Sequence, residues 1–230
     1  MNRLAIIPAR GGSKRIPRKN IRPFLGEPII SYSIREAIRS GLFKEVMVST
    51  DDPQIASVAV QSGASVPFMR SDVTANDIAS TASVITEVLQ QYQDNMGRRF
   101  SEVCCIYPTA PFVTAQRLGE GLDTLLNGKF DSVFPIVKFS YPIWRALQHT
   151  MSGKIEMIWK DNLLKRSQDL SPAFHDAGQW YWLNVKSFES SGSLWMNNSS
   201  AIELNEMEVQ DIDNESDWQL AELKFRLLRS

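Results

Sequence analysis

The chain has 230 residues, of which 43% are hydrophobic, enough for one substantial core, so we expect a single domain over residues 1–230. Its 25 basic and 26 acidic residues nearly cancel, which gives no reason to expect nucleic acid or an anionic membrane as a partner. The adjacent cysteines, Cys104 and Cys105, argue against a disulfide framework or a paired-cysteine zinc site. No apolar run approaches the roughly 20 residues that a membrane span needs, so the sequence predicts a cytoplasmic protein.

Short apolar runs alternate with helical patterns through the first 140 residues. The runs are too brief and too apolar for surface elements, and therefore indicate buried strands. They cover Leu4–Ile7, Val46–Ser49, Val103–Tyr107 and Ser132–Val137. The helical patterns cover 28–41, 53–63, 81–92 and 114–126. Alternating strands and crossover helices are typical of a doubly wound, mostly parallel α/β sheet, which is the fold that we predict.

The alternation breaks after Phe139. Residues 140–178 contain several turn-like stretches and predict an insertion rather than another crossover. The strand pattern returns at Gln179–Val185, and a final helix is predicted near the end. Ser216 followed three residues later by Gln219 indicates its capping box. The apolar stripe expected to face the core consists of Trp218, Ala221, Phe225 and Leu228.

The first predicted strand is followed by a loop, residues 8–20, that is rich in glycine and in cations. Ligands of open parallel sheets bind beyond the carboxyl ends of the strands, which is where this loop lies. Adjacent glycines let backbone N–H groups approach an anion, and the cations supply the charge that holds a triphosphate. The spacing matches neither the Walker A motif nor the dinucleotide-binding fingerprint, which argues against an ATPase or a dehydrogenase. The residues expected to contact phosphate are Arg10, Gly11, Gly12, Ser13, Lys14 and Lys19.

The same loop resembles the signature loop of the CMP-sugar synthetases that activate sialic-acid-like nonulosonates and octulosonates. That pattern is an arginine after the first strand, then a serine-lysine pair, then a lysine-asparagine pair. Here the pattern falls on Arg10, Ser13 with Lys14, and Lys19 with Asn20. The resemblance implies a Rossmann-like nucleotidyltransferase fold in which Arg10, Lys14 and Lys19 hold the triphosphate of CTP and Asn20 orients the nucleotide. Displacement at the α-phosphate independently requires cations that neutralise the departing pyrophosphate.

A second stretch, residues 70–81, resembles the segment with which the family recognises cytosine and ribose. The residues that the resemblance implies are Arg70, Asp77, Ser80 and Thr81. A pyrimidine edge needs a few fixed donors and acceptors rather than a large pocket. The alternative for Ser80 or Thr81 is the N-cap of the helix that follows.

Three further segments resemble the parts of the family that contact the acidic sugar. Tyr107 and Thr109 belong to an element similar to the family's Pro-Thr-Ser-Pro sequence, although sialate synthetases usually carry a glutamine before this Pro-Thr. Arg166 resembles an arginine whose implied partner is the sugar carboxylate. Gln179 and Tyr181 lie in an Asp-Ala-Gly-Gln-Trp-Tyr-Trp sequence that resembles the branch of the family acting on pseudaminic acid.

Near the end of the chain, Asp211 and Asp213 match the family's late Asp-x-Asp motif. Alternate residues of an extended segment place both carboxylates on one side, and such oxygens suit Mg²⁺, which takes further ligands from water and phosphate. The alternative is that these acidic residues only stabilise the N-terminus of the last helix through its dipole, and we prefer this interpretation for Asp217. The implied cofactor is therefore Mg²⁺ on Asp211 and Asp213. The residues expected to act in catalysis are Arg10, Lys14, Lys19 and Asp211.

The resemblance extends along the whole chain and implies transfer of CMP from CTP to the anomeric hydroxyl of pseudaminic acid, with release of pyrophosphate. One open alternative is the same reaction on another acidic nonulosonate, N-acetylneuraminic or legionaminic acid. Others are a nucleotidyltransferase that uses a different triphosphate and a nucleotide-binding sensor without catalysis. In relatives the segment that corresponds to 140–178 resembles an arm reaching into a neighbouring subunit, which implies a homodimer.

Overall fold

The computed structural model describes residues 2–229. The strands are, in chain order, β1 (Arg3–Pro8), β2 (Pro23–Phe24), β3 (Glu27–Pro28), β4 (Glu45–Ser49), β5 (Glu102–Ile106), β6 (Ser132–Lys138), β7 (Leu147–His149), β8 (Ile155–Met157), β9 (Phe174–Asp176), β10 (Trp180–Asn184) and β11 (Ser199–Leu204). The α-helices are α1 (Ile29–Arg39), α2 (Pro53–Gln61), α3 (Asp72–Ala75), α4 (Thr81–Met96), α5 (Ala115–Gly128), α6 (Val185–Ser191) and α7 (Glu215–Arg229).

Seven of these strands form one central sheet. Their spatial order is β11-β6-β10-β5-β1-β4, and β9 also pairs with β6. The pairs β1/β4, β1/β5 and β6/β11 are parallel, whereas β10 runs antiparallel to both β5 and β6, and β9 runs antiparallel to β6. Five strands therefore point the same way, which confirms the predicted mostly parallel α/β sheet.

Helices cover both faces of the sheet. Side chains of a strand point alternately to opposite faces, and here the side chains on both faces are apolar. In β1, Ile7 packs on the side of α1, α2 and α5, together with Ile34 and Leu122. The neighbouring Ile6 packs on the opposite side with α4 and α6, where it joins Ile85. Such burial on both faces explains why the strands have continuous apolar sequences.

The predicted elements of the first 140 residues are confirmed. The four strands correspond to β1, β4, β5 and β6, and the four helices correspond to α1, α2, α4 and α5. The strand predicted at Gln179–Val185 is β10, which inserts between β5 and β6. Its antiparallel direction was outside the prediction because an apolar run indicates burial but not direction.

The predicted insertion at 140–178 leaves the sheet after β6 and forms the β7/β8 hairpin before returning. Its final residues belong to the sheet, since β9 pairs with β6 in a register that joins Asp176 to Ile136. We therefore call residues 140–173 the arm. Apolar side chains of the arm are strongly exposed, among them Tyr141 at 85% and Leu164 at 94%.

A separate apolar cluster connects the glycine-rich loop of residues 8–20 to the chain's last segment. Ile16, Phe24, Ile212 and Trp218 are buried together in it. The rings of Phe24 and Trp218 meet edge to face with centroids 5.7 Å apart, a favourable aromatic geometry. Since Ile16 belongs to the loop and Ile212 lies between Asp211 and Asp213, this cluster fixes both predicted ligand-binding segments beside each other.

The start of α7 differs from the prediction. The N–H of Asp217 donates to Oδ1 of Asn214 at 3.1 Å, and the N–H of Asn214 donates to Oδ2 of Asp217 at 3.0 Å. Asn214 and Asp217 thus form the reciprocal cap, and the predicted Ser216 and Gln219 box is wrong. Trp218, Ala221 and Phe225 are buried as predicted, whereas Leu228 is 48% exposed.

Two glycines of α5 provide a matched test of the packing between this helix and the sheet. A Cβ at Gly121 would overlap the ring of Trp180 and lie 2.9 Å from Trp182, whereas no described atom lies within 4 Å of the corresponding position at Gly119. We expect Gly121→Ala to reduce the free energy of unfolding by about 1–3 kcal/mol through overpacking. Gly119→Ala is expected to raise it by about 0.5–1 kcal/mol, since alanine favours helix.

Urea unfolding of both variants measures these changes. Equal effects of the two substitutions would contradict the close contact between α5 and β10.

Candidate active site

A polar cleft of about 690 Å³ lies beyond the carboxyl ends of β1 and β5. This is the edge at which open parallel sheets bind ligands. The predicted residues that line it are Arg10, Ser13, Lys14, Lys19, Asn20, Arg70, Asp77, Thr81, Tyr107 and Thr109. A cavity of about 750 Å³ lies at the opposite end of the strands, between α4 and α6. We place the site in the smaller cleft because the predicted residues converge there.

The phosphate-loop cations Arg10 and Lys14 share one carboxylate. Nη1 of Arg10 lies 2.6 Å from Oδ1 of Asp77, and Nζ of Lys14 contacts Oδ2 of the same side chain. Both contacts lower the pKa of Asp77, and the contact with Lys14 has the larger effect. Asn20 holds the backbone of Arg10, because its Nδ2 donates to the Arg10 carbonyl at 2.9 Å. Asp77, predicted to bind nucleotide, thus lies in this structure as the counter-ion of two predicted phosphate ligands.

Lys19 connects the loop to the acidic segment near the end of the chain. Its Nζ donates to the carbonyl of Ile212 at 2.7 Å and lies 4.0 Å from Oδ1 of Asp213. Burial lowers the pKa of Lys19, although the nearby carboxylates raise it in part. Nη1 of Arg15 lies 2.6 Å from Oδ2 of Asp213. Arg15 also lines the cleft, and the sequence reasoning did not select it, although it belongs to the same run of cations.

The two glycines of the loop have different environments from those predicted. The N–H of Gly11 donates to Oδ1 of Asp51 at 2.9 Å, so it is already bonded. A Cβ at Gly11 would lie 2.8 Å from Oδ2 of Asp52, which explains why a glycine fits here. Gly11 and Gly12 both lie outside the cleft lining. Their phosphate contact stays a prediction, and in this structure Gly11 packs against Asp51 and Asp52, two neighbours that the sequence did not predict.

Arg70 forms part of the cleft floor. Only 8% of the residue is exposed, and it donates to Oγ of Ser49 at 3.1 Å and to the Ser49 carbonyl at 2.6 Å. Burial lowers its pKa. Ser80, in contrast, is the N-cap of α4, where its Oγ accepts from the N–H of Ser83 at 3.1 Å. Ser80 lies outside the cleft lining and has the cap role that was its alternative, whereas Thr81 lines the cleft.

The residues predicted to bind sugar separate into two groups. Tyr107 and Thr109 line the cleft. Gln179 and Tyr181 are each only 3% exposed and lie outside its lining. Nε2 of Gln179 donates to the carbonyl of Glu208 at 2.6 Å. In this structure the side chains of Gln179 and Tyr181 are thus buried and bonded within the protein, and their contact with a sugar stays a prediction.

Arg166 lies on the arm, outside the cleft lining of its own chain. Its side chain is 73% exposed, and its Nε pairs with Oδ2 of Asp169 at 2.9 Å. Its contact with the sugar carboxylate stays a prediction, and within one chain Arg166 does not join the residues that line the cleft.

Asp211 and Asp213 lie outside the cleft lining but flank the buried Ile212, whose carbonyl accepts from Lys19 at the wall of the cleft. The pKa of Asp211 is raised, first because surrounding protein atoms reduce its hydration and then because the Asp213 carboxylate repels its negative charge. Within residues 2–229, no group of three or more histidine, cysteine or acidic side chains is arranged to hold a metal ion. Two carboxylates still fit Mg²⁺, which retains waters and binds phosphate oxygens. Asp217 caps α7, as preferred from the sequence.

Fold and cleft together define an α/β nucleotide-binding protein. The chain belongs to the cytidylyltransferase family, because the family model described as Cytidylyltransferase matches residues 4–211. It is 38% identical to a pseudaminic acid cytidylyltransferase from Campylobacter jejuni over 227 residues, which cover 99% of this chain and 97% of that relative. It is 34% identical to a CMP-N,N'-diacetyllegionaminic acid synthase from Legionella pneumophila, with the same coverage.

A solved structure supports the fold independently. CMP:2-keto-3-deoxy-manno-octonic acid synthetase, solved in complex with CTP, superposes with a TM-score of 0.71 at 16% sequence identity. The match covers 100% of this chain and 99% of that one. This likeness confirms the predicted nucleotidyltransferase fold. None of the helices within residues 2–229 combines the length and apolar character that crossing a bilayer requires.

Proposed function

We propose that this protein transfers CMP from CTP to the anomeric hydroxyl of pseudaminic acid and releases pyrophosphate. The observation that carries the proposal is the convergence of Arg10, Lys14 and Lys19 at one cleft, with the Asp211 and Asp213 segment held beside the cleft by its contacts with Lys19. Full-length similarity to a pseudaminic acid cytidylyltransferase supports the choice of sugar. We place the reaction in the cytoplasm, the compartment that the sequence predicts.

The first role of the cations in the cleft is to bind the triphosphate. Arg10 and Lys14 face the cleft, and an anion with more charge than a single carboxylate can replace Asp77 as their partner. Their hydrogen bonds to phosphate oxygens stabilise the charge that accumulates on pyrophosphate as it leaves. Lys19 supplies a third cation at the side of the cleft next to Asp213.

Asp211 and Asp213 are the residues that would hold Mg²⁺. The ion would supply Lewis acidity, neutralising phosphate charge and making the sugar hydroxyl easier to deprotonate. The chain's own contribution is to hold both carboxylates on one anchored segment, since Ile212 between them is 1% exposed. Arg15 must then exchange its partner Asp213 for solvent or phosphate.

The nucleoside is expected at the floor of the cleft. The buried guanidinium of Arg70 is held by Ser49 and presents fixed donors, which suits the carbonyl edge of a pyrimidine. Thr81 lies at the start of α4 and lines the same region. Asn20 fixes the backbone of Arg10, so we propose that it orients the nucleotide through the loop as well as by direct contact.

The sugar is expected beside Tyr107 and Thr109, at the carboxyl end of β5. Arg166 lies outside the cleft of its own chain, so its contact with a sugar carboxylate requires the cleft of a second copy. Arginine suits that role because its planar fork matches a carboxylate. The arm's exposed apolar side chains also favour association, since monomers rarely expose large contiguous apolar patches.

We therefore propose a homodimer formed through the arm, residues 140–173. Sedimentation at micromolar concentration is expected to give about twice the chain mass of 26.0 kDa. Leu164→Asp, at a side chain that is 94% exposed, is expected to shift the protein to monomers, because a charge is costly to bury in an interface. Val60→Asp on α2, where the side chain is 57% exposed, is the matched control and is expected to leave the dimer intact. A monomeric wild-type protein would contradict the dimer.

The proposed function is tested by measuring pyrophosphate release with CTP and Mg²⁺. The acceptors are pseudaminic, legionaminic, N-acetylneuraminic and octulosonic acids, and the other three nucleoside triphosphates replace CTP as controls. We expect selective turnover of pseudaminic acid with CTP.

Preferential turnover of legionaminic acid would retain the chemistry and replace the sugar. This outcome is the second candidate because the legionaminic acid synthase from Legionella pneumophila matches the chain over its full length. Binding of CTP without turnover of any acid would contradict the proposed function.

A further inference from the structure

Arg18, in the loop of residues 8–20, binds the start of α2 and lies outside the cleft lining. Its Nη1 donates to Oδ2 of Asp52 at 2.5 Å. Its Nη2 lies 3.3 Å from Oδ1 of the same carboxylate and also contacts Oε1 of Gln54. The cations of this loop that line the cleft are Arg10, Lys14, Arg15 and Lys19. Arg18 therefore differs from them in both position and partner.

Asp52 is a fixed partner for this arginine. Its Oδ1 accepts from the N–H groups of Gln54 at 2.8 Å and Ile55 at 3.1 Å, which makes Asp52 the N-cap of α2. The hydrogen bond from Arg18 is the largest cause that lowers the pKa of Asp52. The same carboxylate lies against the start of the loop, because a Cβ at Gly11 would be 2.8 Å from its Oδ2. Asp52 therefore contacts the loop near both of its ends.

The backbone of Arg18 needs this support. It is left-handed, with φ 56° and ψ 29°, a conformation that costs free energy for residues with a Cβ. Residues other than glycine keep such a conformation when their surroundings hold it. The bend leads directly into the turn Lys19–Ile21, in which Lys19 and Asn20 line the cleft. The pair with Asp52 thus stabilises the bend that brings these two side chains to the cleft.

Exposure separates this pair from the ion pairs that phosphate can replace. The side chain of Asp77, which pairs with Arg10 and Lys14, is 45% exposed, whereas that of Asp52 is only 16% exposed. Asp52 is also bonded to the first N–H groups of α2, so loss of Arg18 would leave a largely buried carboxylate without its cation. An incoming triphosphate therefore displaces Asp77 more readily than Asp52.

We propose that Arg18 is a positioning residue that binds Asp52 rather than phosphate, and that this pair holds the loop in the bend that presents its other cations to the triphosphate. The inference rests on the part of the proposed function that places the triphosphate of CTP at this loop. It divides the cations of the loop between two tasks, binding of the nucleotide and anchoring of the chain.

Asp52→Asn distinguishes anchoring from phosphate binding by the sign of its effect. Asparagine keeps an oxygen that caps α2 but removes the charge that holds Arg18. We expect the Kd for CTP to rise about fivefold, toward the upper end of what a partly exposed ion pair contributes. If Arg18 were a phosphate ligand, its release from Asp52 would leave the Kd unchanged or lower it. Titration calorimetry with CTP and Mg²⁺, without sugar, measures the Kd, and the melting temperature is expected to stay close to wild type.

Further variants separate this role from a general structural one. Arg18→Met removes the guanidinium and is expected to raise the Kd for CTP by the same factor. The double variant with Asp52→Asn is expected to show no further rise, because both substitutions break one pair. Asp52→Ser also caps a helix and is the second variant if Asp52→Asn fails to fold. Glu27→Gln is the matched control, since Glu27 pairs with Arg35 at 2.5 Å outside the cleft lining.

An unchanged or lower Kd for CTP in Asp52→Asn would overturn the inference. Additive rises in the double variant, or an equal rise in Glu27→Gln, would overturn it as well. A wild-type protein that binds CTP but turns over no acid contradicts the proposed function alone, because the inference is tested by binding. A wild-type protein that binds no CTP contradicts both.

Discussion

Arg10→Ala is expected to lower kcat/KM for CTP by about 10²- to 10³-fold, the typical cost of removing one donor aimed at transition-state charge. Arg10 lies in the loop after β1, and its side chain faces the cleft while paired with Asp77. Loss of the guanidinium removes a donor and leaves Asp77 to repel the incoming phosphates. Steady-state kinetics with varied CTP measure the effect.

Two further variants define the cause of that loss. Arg10→Lys keeps the charge but not the planar fork, so an intermediate loss is expected. Arg99→Ala is the control, because Arg99 is exposed at the opposite end of the strands, where it donates to Gln93. If Arg10→Ala and Arg99→Ala had similar small effects, Arg10 would have no part in phosphate binding.

Asp211→Ala is expected to reduce turnover at limiting Mg²⁺ at least about 10²-fold, because the remaining Asp213 offers one carboxylate where two are expected. The measurement is turnover as a function of Mg²⁺ concentration. The variant is expected to need a far higher Mg²⁺ concentration than the wild type for half-maximal turnover. Asp213→Asn is expected to behave similarly, and it also releases Arg15.

The control for these substitutions is Asp123→Ala, since Asp123 is an exposed acid on α5. It is expected to show the wild-type dependence on Mg²⁺. Turnover of Asp211→Ala close to wild type at limiting Mg²⁺ would make the metal assignment wrong.

The strands and helices of the first half could be predicted from the sequence because each has one clear periodicity. Leu4–Ile7 and the part of a predicted strand that runs from Val103 to Ile106 are apolar throughout, and the structure buries them in the middle of the sheet. The direction and position of β10 could not be predicted, since its pairing with β5 joins Tyr181 to Cys105 across a long stretch of chain. The sequence pattern within one strand does not indicate which distant strand it pairs with.

The same distinction applies to the cleft. Arg10 and Lys14 were predictable because they follow a buried strand, and the carboxyl end of that strand fixes their place. The burial of Gln179 and Tyr181 was not predictable, because it depends on how β10 packs beside β5 rather than on residue type. The bond from Gly11 to Asp51 depends likewise on the neighbouring position of two parallel strands.

The most direct test of the proposed function follows the sugar's anomeric oxygen. Pseudaminic acid labelled with ¹⁸O at the anomeric hydroxyl is incubated with CTP, Mg²⁺ and the wild-type protein, and the products are analysed by mass spectrometry. Attack of that hydroxyl on the α-phosphate predicts a CMP-sugar that retains the label and an equimolar amount of unlabelled pyrophosphate. Labelled pyrophosphate, or pyrophosphate formed together with free CMP alone, would contradict CMP transfer to the anomeric hydroxyl.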